Sequence, residues 1–252
     1  MPAVTDPLDL LVRKLAIHAP LDEADQAAIR ALPYSLRTVD PHTYTTREGD
    51  VPGPCAVIVS GFAFRQKLTG DGARQIVSLH VPGEPLDFQH LFLDVADHSV
   101  QTLTRAELAL ISRRDLQALA RERPAVGHAM LVSILVEASI FREWVLNVGR
   151  RDARGRVAHL LCEFAIRLKA YGLAEQYGYE LPMSQEQLAD AIGLTAVHVN
   201  RTLKALEEEG LIKRQRRFVS FPDWERLRSA ADFSERYLHL SRQREGVPET
   251  AG

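Results

Sequence analysis

The stretch MSQEQLADAIGLTAVHVNRTLKALEEEGLI, residues 183–212, decides how the rest of the chain is read. Ser184, with Gln187 three residues later, has the form of a capping box, in which each side chain satisfies a backbone amide of the first helical turn. Leu188, Ala189 and Ile192 follow at helical spacing, and Gly193 comes where the chain must turn. Thr195 is the expected N-cap of a second helix with Val199, Leu203 and Leu206 on one face. Val197, Asn200, Arg201, Lys204 and Glu208 fall on the other face. The spacing therefore predicts two helices joined by a tight turn, the second with polar donors outward. On spacing alone an ordinary helical hairpin has the same pattern.

The residues just downstream weigh against the ordinary hairpin. GLIKRQRRFVSFPDW, residues 210–224, places Lys213, Arg214, Arg216 and Arg217 within a five-residue run, ahead of the alternating FVSF. A basic turn between two short strands is a wing, suited to lie over a phosphate backbone. The helix before it would enter a major groove and read base edges from its first turns. The alternative for the basic run alone is a solvated charged loop.

With its wing, this stretch resembles the winged helix of the Crp/Fnr family of bacterial transcription regulators. The resemblance is carried by Gly193, Leu194 and Thr195, then by Val199, Arg201, Leu203, Lys204, Leu206 and Glu207, and with upstream features it extends from about residue 10 to about residue 222. It implies an α+β fold: an N-terminal β-roll of the cyclic-nucleotide-binding type, a long dimerisation helix and a C-terminal winged helix-turn-helix. The corresponding divisions are residues 1–115, 116–150 and 151–252, the last including an extra C-terminal helix. The implied function is that of a dimeric, sequence-specific DNA-binding regulator, not an enzyme, which would meet RNA polymerase if it activates. The family's base-reading positions correspond to Ala196, Val197 and Arg201, with Asn200 beside them. Of the Arg, Glu and Arg found there in the cyclic-AMP receptor, only Arg201 is kept. Ser184, Thr195, His198, Lys204, Lys213, Arg214, Arg216 and Arg217 are the expected backbone contacts.

Composition sets bounds on this reading. The 252 residues are 46% hydrophobic and 25% charged with a net charge of −2, so affinity for nucleic acid must come from local patches. No unbroken apolar run reaches the roughly 20 residues of a membrane span. The start MPAVTDPLDLLVRK lacks the basic and apolar regions of a signal peptide, which points to the cytoplasm. Cys55 and Cys162 make no disulfide framework. They are also too few for an iron–sulfur cluster, which needs about four ligands.

Upstream, PLDLLVRKLAIH and LDEADQAAIRALP read as two helices, the second starting at Leu21 or Asp22. The runs YTTREGD, CAVIVSG, FAFRQKLTGDG, RQIVSLHVPGE, VQTLTR and AELALIS read as the strands of a barrel or roll, with a hairpin turn at Gly70–Asp71–Gly72. Ser112 caps a further helix, and Pro124 opens a long one. Along that helix Leu131, Ile134, Ala138, Phe141, Val145 and Val148 recur at intervals of 3, 4, 3, 4 and 3, a coiled-coil seam. A seam of this length suits a dimer helix better than a core helix of a small roll. Asp152 would cap the next helix after the break GRRDARG, LAEQYGYELPM reads as a two-strand connection, and WERLRSAADFSERYLHL as one amphipathic helix ahead of a disordered tail.

In the sensing half, the resemblance makes Gly83 and Glu84 the opening of a nucleotide-phosphate cassette, with His98 and Ser99 where the family has Arg and Ser; these four form the candidate effector pocket. Histidine lacks the permanent charge and forked geometry of arginine, and Asp87 would repel an anion. Both departures argue against cyclic AMP, leaving an unknown small-molecule effector. Two rival functions are a cyclic-nucleotide-binding protein without DNA chemistry and a cupin-like metal enzyme using His80, Glu84, His90 and His98. The winged helix weighs against the first. The missing His-x-His pair weighs against the second, and no metal set is assigned.

Overall fold

The computed structural model describes residues 6–174 and 178–240. It opens with α1 (Asp9–His18) and α2 (Glu23–Arg30), and Asp22 caps α2 in a reciprocal box with Asp25. Seven strands come next: β1 (Tyr34–Val39), β2 (Tyr44–Thr46), β3 (Cys55–Ser60), β4 (Ala63–Leu68), β5 (Arg74–His80), β6 (Ser99–Thr102) and β7 (Ala106–Ile111). They form two antiparallel sheets in the orders β1-β7-β3 and β2-β6-β4-β5. The β4–β5 hairpin turns at Gly70–Asp71–Gly72 as the sequence predicts, with Gly72 at φ 87°. Strand β1 falls outside the predicted runs because only Val39 of its six residues is buried, so no alternation marks it.

Ser112 caps α3 (Arg113–Glu122) by accepting from the Asp115 amide. The long helix α4 runs from Pro124 to Arg150. The expected span of 116–150 is thereby corrected: residues 116–122 belong to α3, and Arg123 leaves helical geometry because a residue before proline is pushed out of the α region. Helix α5 (Ala153–Ala170) is capped by Asp152. Then come β8 (Gly178–Glu180), α6 (Gln185–Ile192), α7 (Ala196–Glu208), β9 (Lys213–Gln215), β10 (Phe218–Ser220) and α8 (Trp224–Ala230). The third sheet has the order β8-β10-β9. The two-strand connection expected at 173–183 yields one described strand, β8, whose partner is β10; residues 175–177 lie outside the described residues. The single C-terminal helix expected at 224–240 is also corrected. α8 ends at Ala230, Asp232 turns the chain at φ 46°, and a separate 3-10 turn spans Glu235–Leu238. The tail read as disordered, 241–252, lies outside the described residues.

One hydrophobic cluster packs α1, β3, β7 and α3 against the start of α4. A larger one runs from Phe64, Ile76 and Leu79 of the roll, through Val136, Ile140 and Trp144 of α4, into α5 and the winged helix. Among the described residues α4 is the one helix long and apolar enough, by length and composition alone, to cross a membrane, and Glu137, Arg142 and Glu143 interrupt its apolar run. Its two faces differ, however. Ser133, Ser139 and Asn147 are buried against the protein with Val136 and Trp144, while Leu131, Leu135, Phe141, Val145 and Leu146 are exposed.

Candidate nucleic-acid interface

Helix α6 begins with the capping box expected from sequence: Gln187 N donates to Ser184 Oγ at 3.2 Å and Ser184 N to Gln187 Oε1 at 2.8 Å. Gly193 ends it in the left-handed conformation, φ 64°. A Cβ there would sit 3.1 Å from Val148 Cγ1, so the turn is pressed against the end of α4 as well as twisted. Arg156 of α5 donates to the carbonyls of Ile192 and Gly193 and holds the turn from behind. Thr195 Oγ1 then accepts from the His198 amide and starts α7. Val199, Thr202, Leu203 and Leu206 face inward.

The outward face of α7 is as expected, with Val197 81% exposed and Arg201 and Lys204 also exposed. Ala196, Val197, Asn200, Arg201 and Lys204 line a shallow concavity of about 460 Å³, joined by Gln185 from the first turn of α6. Gln185 does not stand out in the sequence. Its Oε1 accepts from Asn200 Nδ2 at 3.1 Å, so Asn200 is oriented by its neighbour rather than free to reach a base alone. The signal that would find it is its place in the first turn of α6, directly after the cap Ser184.

The wing forms from β9 and β10, with Arg216 at its tip at φ 58°. It does not offer four equivalent cations. Arg214 is half-buried and paired with Glu207 of α7. Arg217 donates to the carbonyls of Leu181 and Pro182 at 3.3 and 2.9 Å. Lys213 and Arg216 are exposed and turned to solvent. Of the four expected backbone contacts, Lys213 and Arg216 are outward and Arg217 is exposed as well, while Arg214 and Arg217 also brace the wing.

The four residues of the candidate effector pocket each have partners of their own in the roll and the helices around it. Gly83, at φ 93°, is pressed on α1, where a Cβ would meet the Leu10 carbonyl oxygen at 2.8 Å. Glu84 is buried and accepts from Lys14 at 3.2 Å, Arg167 at 2.7 Å, Tyr171 Oη at 3.2 Å and the Val81 amide at 3.2 Å. No lone pair is left over for a ribose. Burial would raise its pKa, but Arg167 and Lys14 outweigh burial and hold the carboxyl well below the usual range. Arg167 belongs to α5 and also reaches Glu163, which accepts from Trp144 of α4 and from Tyr237. One buried polar network thus ties the roll to both following helices. Ser99 accepts from the Glu48 amide, and His98 lies elsewhere, beside Asp87. Of the residues weighed for a cupin-like set, His80 stays with Glu84 while His90 and His98 gather on Asp87. Cys55 and Cys162 are buried and free; burial pushes the Cys55 thiol up to about 12 and raises that of Cys162, so neither is poised as a reactive thiolate.

A capped helix pair with a donor-bearing second helix and a basic wing, joined by a long helix to a two-sheet roll, defines a winged-helix DNA-binding regulator. Family models agree, with a cyclic nucleotide-binding domain matching residues 36–123 and a Crp-like helix-turn-helix domain matching residues 155–230. The transcriptional activator protein FnrL of Cereibacter sphaeroides is 30% identical over 223 residues, covering 87% of this chain and 89% of that one. The nitrogen fixation regulation protein FixK of Rhizobium meliloti is 31% identical over 200 residues, covering 78% and 87%. The structure of FixK2 from Bradyrhizobium japonicum superposes with a TM-score of 0.72 at 24% identity, covering 79% of this chain and 98% of that chain. The chain belongs to the Crp/Fnr family of transcription regulators.

Proposed function

We propose that the chain acts as a cytoplasmic homodimer that binds inverted-repeat DNA and activates transcription, without enzymatic activity of its own. The observation that carries this reading is the outward face of α7, where Val197 and Arg201 stand one turn apart over a shallow concavity with the rest of the helix anchored behind them. Arg201 would grip a guanine through its O6 and N7 acceptors, and Val197 would pack on a thymine methyl beside it. Ser184, Thr195, His198, Lys204, Lys213 and Arg216 would contact the backbone. Dimerisation would run through α4. Leu131, Phe141 and Val145 of the predicted seam are about half-exposed in the single chain, Ala138 is exposed with them, and Ile134 and Val148 are half-buried beside them. Such a stripe is what a second copy of the helix would cover.

FnrL is described as a transcriptional activator, which supports activation and hence a contact with RNA polymerase. The divisions 1–115 and 151–252 serve as sensor and reader, with α4 between them. Cyclic AMP does not suit the roll, because Glu84 is already saturated and Asp87 stands near where a phosphate would go. An iron–sulfur cluster does not suit a chain with two cysteines, one in β3 and one in α5.

Titrating the protein onto labelled duplex at two salt concentrations tests the reading. Specific binding that weakens with salt, at a stoichiometry of two chains per site, is expected. Sequence-independent binding, or one chain per site, would contradict it.

A further inference from the structure

A second cluster of chemistry-bearing residues lies inside the roll, away from the DNA face. Asp87, His90 and His98 are each more than nine-tenths buried, and one ligand atom from each lies within 4.8 Å of the others. His98 Nε2 is 2.9 Å from Asp87 Oδ1, and His90 Nδ1 is 3.7 Å from Asp87 Oδ2. The imidazoles stack at 5.5 Å with 9° between their planes. The second distance is beyond hydrogen-bond reach, and His90 Nε2 has no hydrogen-bond partner. A buried ring nitrogen without a hydrogen bond needs an explanation beyond packing.

We propose that Asp87, His90 and His98 form a site for a divalent transition-metal ion, held by two imidazoles and one carboxylate. The donor set suits zinc, iron(II) and their neighbours rather than calcium or magnesium. At tetrahedral angles, metal–nitrogen and metal–oxygen bonds of about 2.0–2.2 Å put adjacent ligand atoms about 3.3–3.6 Å apart. The two measured separations bracket that range, so small side-chain shifts would complete the set.

Two further observations fit. The first is the orientation of His98, whose Nδ1 lies 2.6 Å from Asp97 Oδ1 while Nε2 faces Asp87. A carboxylate behind a ligating histidine fixes the tautomer and aims the other nitrogen at the metal. With both ring nitrogens against carboxylate oxygens, a proton or a metal ion must lie between Nε2 and Asp87. The second is charge. Asp87 and Glu137 share Arg65 as their cation, so these two carboxylates carry one negative charge more than the guanidinium between them, which favours a further cation at Asp87.

The site also has a route to α4. Arg65 bridges Asp87 at 3.4 Å and Glu137 of α4 at 3.3 Å, and it donates to the Leu86 carbonyl. A cation on Asp87 would compete with Arg65 for that carboxylate and drive the guanidinium toward Glu137, on the helix that carries the seam.

The test is a titration of the metal-stripped, full-length protein with cobalt(II), read by its visible ligand-field bands, followed by competition with zinc. One cobalt per chain, displaced by zinc, is expected. His90→Gln should abolish the bands. Asp97→Asn, at a largely exposed side chain, keeps the fold and should weaken binding about 10- to 100-fold. Absence of cobalt binding by the wild type, or unchanged affinity in either variant with a native circular dichroism spectrum, would overturn the site; if His90→Gln does not fold, Asp97→Asn decides. Duplex binding by the same metal-stripped samples is measured in parallel, so that failure of the metal site is distinguished from failure of the regulator reading.

Discussion

Replacing Glu84 with glutamine keeps the shape of the side chain and removes the charge at the centre of the buried network. Glu84, Lys14 and Arg167 have side chains only 4–5% exposed, at separations of 3.2 and 2.7 Å. At an effective dielectric of about 20, those two attractions are each about 5–6 kcal/mol before desolvation. Desolvation of the ions offsets much of that, and removing one member of a buried set leaves about 3–5 kcal/mol of net loss because the remaining cations stay buried without their partner. For a chain of this size that corresponds to a fall in Tm of about 6–20 °C. Thermal unfolding followed by circular dichroism at neutral pH measures it. Arg167→Met removes one of the stranded cations, so Glu84→Gln should be milder in that background, with a coupling of about 0.5–3 kcal/mol. Because the folded pKa of Glu84 is depressed, its contribution is complete above the ordinary carboxylate range of about 4.3 and is lost only as pH falls through the lower folded value. A Glu84→Gln variant melting within about 2 °C of wild type, or strictly additive losses in the double variant, would refute the argument.

Three other perturbations probe separate parts of the molecule. Phe141→Asp puts a charge on the exposed stripe of α4 and should shift sedimentation to the monomer while leaving the roll folded; a variant that remains dimeric contradicts the seam. Arg216→Ala should lower the salt slope of DNA binding by about one unit, the loss of a single phosphate neutralised, whereas Arg214→Ala and Arg217→Ala should act mainly on stability; equal effects of all three on the slope would contradict the division between outward and bracing arginines. Gly193→Ala should destabilise the protein by about 1–2 kcal/mol, because it forces a Cβ into a left-handed turn and against Val148; an unchanged melting curve would show that the turn relaxes freely.

Local signals are legible in the sequence. Ser112, Asp152, Ser184 and Thr195 all cap the helices expected of them, since a cap needs only a short side chain and a backbone amide three residues away. The apolar repeat from Leu131 to Val148 is equally visible, since its period gathers these residues on one face of the helix. Tertiary pairing sets what the sequence hides. Lys14, Glu84 and Arg167 lie 70 and 83 residues apart, and nothing local marks them as partners. Arg214 has the look of a phosphate contact in the sequence, but Glu207 stands opposite it, seven residues earlier and one helix away. A Gly–Glu pair stands out in a sequence and draws His90 and His98 toward Glu84, whereas the residue they meet is Asp87. The C-terminal break at Asp232 is hidden because only a small fraction of aspartates adopt positive φ, although aspartate does so more readily than most residues.

The central claim is that α7 reads bases through Arg201, and selection from a random duplex pool followed by Arg201→Ala on the selected site tests it most directly. The selected sites should be inverted repeats about one helical turn apart, each half keeping a guanine with a T·A pair beside it. Arg201→Ala should weaken binding to such a site by about 1–3 kcal/mol, roughly 5- to 150-fold, and relax the preference at the guanine alone. Undiminished affinity in that variant, or selected sites without an inverted repeat, would contradict the account.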